Sequence, residues 1–232
     1  MLESLTHSDI TFLTLTYDDE HLPDDCSVSR RPLQLFIKSL REAVSPVKIR
    51  FYGVGEYGEQ SQRPHYHAII YGLPPEYDFQ RHWRHGFVMA GTFSRESAQY
   101  VAGYVVKKFV KKGDLRRREF STMSLKPALG LEAVRQMEKY KNHPIFKRAL
   151  KDTNDVPGGL RHGSHWLPFG RYLTDKLREI FNVTGDLDPY IRSLSLKYLK
   201  NKDNYLQSLL DEDAQRVKQI ENRFKIFSNS TL

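Results

Sequence analysis

In the first half of the chain the apolar residues recur first at every second position, then at every third or fourth, then at every second again. "TFLTLTY" (Thr11 to Tyr17) puts Leu13 and Leu15 on one face and Thr14 and Thr16 on the other, the two-residue period of a half-buried strand. "SRRPLQLFIKSLREAV" follows with Leu33, Phe36, Ile37, Leu40 and Val44 on one helical stripe; Ser29 is placed to cap it and Pro32 suits its first turn. Alternation returns in "VKIRFYGVGE" (Val47 to Glu56). There Val47, Ile49 and Phe51 point one way, and Lys48, Arg50, Tyr52, Val54 and Glu56 the other. A polar connection, "YGEQSQRP", leads into "HYHAIIYG" as in a hairpin. His65, His67, Ile69 and Tyr71 share one face of that strand, opposite Tyr66, Ala68 and Ile70. After the loop "PPEYDFQRHWRH", "GFVMAGT" reads as a fourth strand. "SRESAQYVAGYVVKKFVKK" then reads as a helix, with Ser94 as cap and Glu96 in its first turn.

The order β-α-β-β-β-α predicts an α+β fold: an antiparallel sheet with helices on one face and the other face partly open. Thr14, Thr16, Glu56, His65 and His67 fall on the open face. Further on, a helix is expected around Leu131 to Lys141, a Pro/Gly/His-rich loop at "DVPGGLRHGSHWLP", and two closing helices, "RYLTDKLREIF" and roughly Tyr190 to Phe227. This divides the chain into a core over residues 1–125 and a mostly helical C-terminal extension over residues 126–232.

The bulk composition narrows the classes. The 232 residues are 39% hydrophobic and 28% charged, as in a globular chain, with no apolar run of membrane-spanning length and no signal-peptide pattern at "MLESLTHSDI". One cysteine, Cys26, excludes an internal disulfide framework and a cysteine-cluster zinc site. The net charge of +8 favours polyanionic partners, and "KKFVKKGDLRRR" (Lys107 to Arg118) concentrates seven basic residues against one acid. Lys108, Lys111, Lys112, Arg116, Arg117 and Arg118 are therefore candidate DNA-backbone contacts. A solvated helix end is the alternative.

Two imidazoles at i and i+2 of a strand lie about 7 Å apart and can converge on one ion. A hairpin returns Glu56 beside them, which gives two nitrogens and a carboxylate, a set that can hold Mg²⁺ or Mn²⁺ and still admit a phosphate oxygen. The bland alternative is a packed, hydrogen-bonded histidine pair. On the following helix Tyr100 and Tyr104 are four apart with Lys107 extending their stripe, while Val101, Val105 and Phe109 form a separate apolar one. Gly103 between the tyrosines costs about 1 kcal/mol relative to Ala in a helix interior, and close approach of a nucleic-acid backbone would account for it. A tyrosine hydroxyl near a metal-bound phosphate is a candidate nucleophile.

Assembled, these segments resemble the HUH endonucleases, specifically the replication initiator proteins of microviruses of the gokushovirus type. The matching stretches are "FLTLTYDDEHLP" (Phe12 to Pro23), "GEYG" (Gly55 to Gly58), "RPHYHAIIYG" (Arg63 to Gly72), "YVAGYVVKK" (Tyr100 to Lys108) and, more weakly, "LPFGRYLTDKL" (Leu167 to Leu177). The resemblance implies an HUH-type, RRM-like core that nicks single-stranded DNA at an origin. A tyrosine would attack the phosphodiester and keep the 5′ phosphate; the freed 3′ hydroxyl would prime rolling-circle synthesis, and a second tyrosine would complete rejoining. It assigns His65, His67 and Glu56 as metal ligands, Tyr100 and Tyr104 as nucleophiles, and Lys107 as the basic residue three after the second tyrosine. Gly103 stands where a basic residue often follows the first, which favours Tyr104 for the first cut. Relatives usually carry a longer, cysteine-containing segment before the first strand, so a truncated N-terminus with a missing edge strand is compatible with the ten residues before Thr11.

A free tyrosine is only about 0.1% phenolate at neutral pH, so the site must help it ionise. The phosphotyrosine retains the energy of the broken ester, and no Walker-type motif is present, so rejoining needs no nucleotide and unwinding must come from elsewhere. The implied partners are a single-stranded origin and the host helicase and polymerase, in the cytoplasm of an infected bacterium. The alternatives are an HUH transposase or relaxase, and a non-catalytic module gripping single-stranded nucleic acid by stacking on exposed aromatics such as Tyr52 or Tyr71. The two-tyrosine helix and the order of motifs weigh against the first.

Overall fold

A computed structural model describes residues 1–58, 60–103, 114–153, 155–163 and 165–183. They form two compact units, one of Met1–Tyr140 with Arg171–Leu177, the other of Lys141–Gly170 with residues 178–183. The first holds an α+β core: β1 (Ile10–Tyr17), α1 (Arg30–Ala43), β2 (Arg50–Tyr57), β3 (Pro64–Tyr71), β4 (Gly86–Thr92), α2 (Arg95–Gly103), β5 (Phe120–Met123) and α3 (Leu131–Gln136). The five strands make one sheet in the order β4-β1-β3-β2-β5, antiparallel throughout.

Alternation decides what the sheet buries. Leu13, Leu15, Tyr66, Ala68, Ile70 and Phe51 pack against Leu33, Phe36, Ile37 and Leu40 of α1 in one continuous core. Ser29 caps α1, its hydroxyl accepting from the Arg31 N–H. Trp83, from the loop before β4, joins that core and donates its indole N–H to the Thr16 carbonyl at 2.9 Å. The phenols of Tyr17 and Tyr66 meet at 3.0 Å in the interior, and Tyr66 donates to the Ser29 carbonyl, tying the start of α1 to the sheet. Burial, with Tyr66 alongside, pushes the Tyr17 phenol far above its ordinary value.

The opposite face is not bare. Val101 of α2 packs with Val54, Ile69 and Tyr71, with Ala98, Phe93 and Leu129 around them. Tyr71 is only 3% exposed, so it offers no stacking surface of the kind the sequence suggested.

Three elements depart from the sequence pattern. β2 begins at Arg50 rather than Val47: Pro46 has no N–H to give a neighbouring strand, and the Val47 N–H closes a turn onto the Val44 carbonyl. The Pro/Gly/His-rich stretch is not a plain loop but a hairpin of β6 (Gly159–His162) and β7 (His165–Pro168), with Leu160 opposite Leu167. Gly163, at φ +60, occupies a backbone conformation that side chains rarely adopt. In the same unit α4 (Pro144–Thr153), unforeseen in the sequence, stacks Phe146 on Phe181 of α5 (Arg171–Phe181), and Arg178 pairs with Asp155. The expected helix from Tyr190 to Phe227, and the continuation of α2 past Gly103, lie outside the described residues.

Two substitutions test this packing. Leu40→Ala removes a fully buried side chain and should cost about 2–5 kcal/mol in denaturant unfolding. Gly86, at φ +147, opens β4, and a Cβ there would sit 2.4 Å from the Thr16 carbonyl oxygen; Gly86→Ala should destabilise by more than about 1 kcal/mol in the same assay.

Candidate active site

The register of three strands assembles the site. β2 and β3 pair so that Glu56 lies opposite His65, and β1 and β3 so that Thr14 lies opposite His67. Directly opposed residues point to the same face, so Glu56, His65 and His67 converge. Their ligating atoms all lie within 4.8 Å of one another, and this is the one group of three or more such side chains among the described residues. The Glu56 Oε1 atom is 2.8 Å from His65 Nε2 and 3.0 Å from His67 Nε2.

Each imidazole is oriented from behind. A carbonyl can only accept, so His65 Nδ1, 3.2 Å from the Arg63 carbonyl, carries its proton and turns Nε2 toward Glu56. The Thr14 hydroxyl holds His67 Nδ1 at 3.0 Å with the same result. The Phe12 ring lies stacked against His67, 5.6 Å between centroids. Tyr100 meets the His67 ring edge-on at 5.2 Å. Phe12 is the contributor that sequence reasoning missed, although its two-residue spacing from Thr14 places it on this face.

The triad sits deeper than an open face implies. Glu56 is 2% exposed and His67 5%. The reason is the cover: Phe12 and Tyr100 lie against the ligand end, and α2 rests on Val54 and Ile69 next to it. Burial alone would push the Glu56 carboxyl up, but hydrogen bonds and charge from His65 and His67 outweigh it and hold it below its ordinary value. Burial would likewise lower His65, yet Glu56, the Arg63 carbonyl and Glu119 together raise it.

Glu56 Oε2 is buried without a hydrogen-bond partner. A buried carboxylate oxygen left unsatisfied is costly, and a divalent cation would satisfy it. Two imidazole nitrogens and one carboxylate suit Mn²⁺ well and Mg²⁺ with water completing the shell. The residues present therefore fit a metal.

The other sequence candidates are distributed as follows. Tyr100 is half-exposed on α2 at the triad. Tyr104, Lys107, Lys108, Lys111 and Lys112 lie outside the described residues. Arg116 is held by Asp114 at 2.7 Å, bonds Gln62 and lies over the Tyr57 ring, which anchors it to the protein. Arg117 and Arg118 are exposed beside it, and the Tyr57 hydroxyl donates to the Arg117 carbonyl at 2.7 Å. Since Tyr57 follows Glu56, this basic stretch reaches the ligand-bearing end of β2.

Comparison with known proteins agrees with this geometry. The profile of the replication-associated protein ORF2 family matches residues 10–109, which contain β1 to β4, the triad and Tyr100. The chain is 30% identical over 217 residues to replication-associated protein ORF4 of Chlamydia phage 1, covering 81% of this chain and 50% of that protein. It is 34% identical over 223 residues to replication-associated protein VP4 of Bdellovibrio phage phiMH2K, covering 80% and 69%. Replication-associated protein ORF2 of Spiroplasma virus 4 is 35% identical over 123 residues, covering 42% and 38%. The chain thus spans half the length of the first of these relatives and about two thirds of the second. It belongs to the family of replication-associated proteins of microviruses.

Proposed function

We propose that this protein nicks and rejoins single-stranded DNA at a phage replication origin by tyrosine transesterification, and so starts rolling-circle replication. One observation carries the proposal: a buried Glu56–His65–His67 triad, with an orphaned carboxylate oxygen, lies against the ring of Tyr100. The names of the relatives agree with a part in replication. No described helix is long and apolar enough to cross a membrane, which suits action on DNA inside the infected host, alongside host helicase and polymerase.

In this mechanism the Tyr100 or Tyr104 hydroxyl oxygen bonds to phosphorus as the bond to the 3′ oxygen breaks. The phenol gives up its proton and the departing 3′ oxygen gains one. The 5′ phosphate stays on tyrosine, so the reverse step, by a 3′ hydroxyl, needs no added energy source. When bound, Mg²⁺ or Mn²⁺ supplies positive charge that polarises the phosphorus and offsets charge on the leaving oxygen. Thr14 and the Arg63 carbonyl fix the two imidazoles that hold it, and Phe12 excludes water from their flank. Lys107 supplies a cation to the second tyrosine, and Lys108, Lys111, Lys112 and Arg116 to Arg118 contribute backbone affinity; of these, exposed Arg117 and Arg118 suit phosphate best.

The lysine spacing favours Tyr104 for the first cut, but position relative to the ligands outweighs it. Tyr100 is the tyrosine whose ring touches a ligand imidazole. With a single-stranded origin oligonucleotide and Mn²⁺, Tyr100→Phe should lose most of the SDS-resistant adduct and Tyr104→Phe should retain it. Adduct lost only in Tyr104→Phe would reverse the order, and adduct kept in both would end the tyrosine mechanism.

Glu56→Gln keeps the shape of a buried side chain and removes its charge. It should abolish nicking and weaken Mn²⁺ binding in calorimetry while a cooperative thermal transition remains. Wild-type nicking in that variant would remove the metal from the mechanism. Thr14→Val should weaken Mn²⁺ by about 10-fold or more, because His67 loses its orienting partner.

The pH dependence follows from the pair. His65 is raised by Glu56, so its stabilising contribution is full below the ordinary 6.5 and is lost as pH rises through the raised value. Glu56 is lowered, so its contribution is present above the ordinary 4.5 and is lost as pH falls through the lowered value. Mn²⁺ must displace the His65 proton, so its thermal stabilisation of the protein should grow as pH rises past that raised value, with protons released on binding. A shift in melting temperature independent of pH would show that His65 is not a ligand.

A further inference from the structure

β4 is an edge strand, and two of its side chains, Phe87 and Met89, are 68% and 69% exposed. Register places both on the triad's face. Across the sheet one row reads Phe87, Thr16, His65, Glu56, and the next reads Met89, Thr14, His67, Val54. An aromatic ring and a thioether thus stand uncovered two strands from the metal ligands, about 10 Å away, with only threonine side chains between. No carboxylate intervenes in either row. Those just beyond the end of β1 are occupied, Asp18 by His21 at 2.7 Å and Asp19 by Arg63 at 2.6 Å.

Large apolar side chains at an exposed strand edge invite either a ligand or another strand. The second possibility is blocked where Phe87 stands. The Gln80 side-chain amide accepts from the Val88 N–H at 3.0 Å and donates to the Gly86 carbonyl at 2.9 Å, filling the outward backbone positions on either side of Phe87. Gln80 therefore stands in for a neighbouring strand and leaves the face of β4, not its edge, available.

We propose that Phe87 and Met89 form a base-stacking platform that positions single-stranded DNA for cutting at the triad. The inference rests on the nuclease function proposed above and adds to it the residues that set where the strand lies. A scissile phosphate at Glu56, His65 and His67 brings a base about one or two nucleotides away over Phe87. An aromatic face there binds any base by stacking, and Met89 extends the apolar contact without demanding a fixed shape. Thr14 and Thr16 leave a flat, uncharged floor over which the sugar-phosphate chain can pass.

The test uses the full chain with fluorescein-labelled oligodeoxythymidine in EDTA, so that binding is measured without cleavage. Phe87→Ala should weaken binding about 10-fold, and Phe87→Trp should restore it. An abasic position walked along the oligonucleotide should find one site whose loss weakens the wild type but not Phe87→Ala. Because Phe87 is exposed, the melting temperature of Phe87→Ala should match the wild type, and a fall would be answered by Phe87→Trp. Equal affinity of Phe87→Ala and wild type overturns the platform. So does unchanged affinity accompanied by a change of oligomeric state in sedimentation, which would make this face a contact between copies. A wild type that binds through Phe87 but never nicks with Mn²⁺ refutes the nuclease function and leaves the platform standing. Nicking lost in Glu56→Gln, with binding indifferent to Phe87, refutes the platform alone.

Discussion

A carboxylate almost wholly removed from water is the constraint around which the core is arranged. Glu56 stays ionised only because two imidazoles stand within 3.0 Å of one of its oxygens, and the other oxygen still lacks a partner. Those imidazoles need Thr14 and the Arg63 carbonyl to present the right nitrogen. All of this presupposes the pairing of Glu56 with His65 and of Thr14 with His67. A slip of one residue would turn His65 and His67 into the α1 core and bring Tyr66 and Ala68 to the site. Tyr66 resists that slip, since its phenol is bonded to Tyr17 and to the Ser29 carbonyl inside the core. The apolar side of the sheet therefore fixes the geometry of its polar side.

How much of this was legible in the sequence varied with the range of the interaction. Alternation along β1, β2 and β3 is local, and it placed Leu13, Phe51 and Tyr66 on one face and Thr14, Glu56, His65 and His67 on the other. The helical stripe from Leu33 to Leu40, with Ser29 as its cap, was equally visible. Burial was less so, because it depends on what crosses the sheet. Tyr71 has the parity of an open-face residue but is covered by Phe93 and the region around Val101. The hairpin of β6 and β7 was hidden because Gly and Pro signals dominate a stretch whose pairing is anchored by Leu160 and Leu167. Phe12 needed three-dimensional knowledge of which rings meet, and Gln80 gave no local sign that its amide would complete a strand edge.

The site also joins two tasks on one sheet face without mixing their chemistry. Ligand residues occupy the two central strands, where both neighbours restrain the backbone, and α2 brings Tyr100 to them. Exposed apolar side chains occupy the edge strand, where a bound chain has room. Phosphate chemistry needs fixed positions to within fractions of an ångström, whereas stacking tolerates adjustment. The location of each set in the sheet matches the precision it requires.

The hairpin tip between Gly58 and Arg63 is closed by a backbone bond of 3.0 Å from the Gly58 N–H to the Arg63 carbonyl. Every ligand lies inside the paired register and none in that tip. Lengthening a loop costs only about 0.6 kcal/mol per doubling, so the tip can gain or lose residues while the metal centre stays in place. Among related phages, this would let the loop diversify under selection from one origin to the next while the reaction chemistry is inherited unchanged.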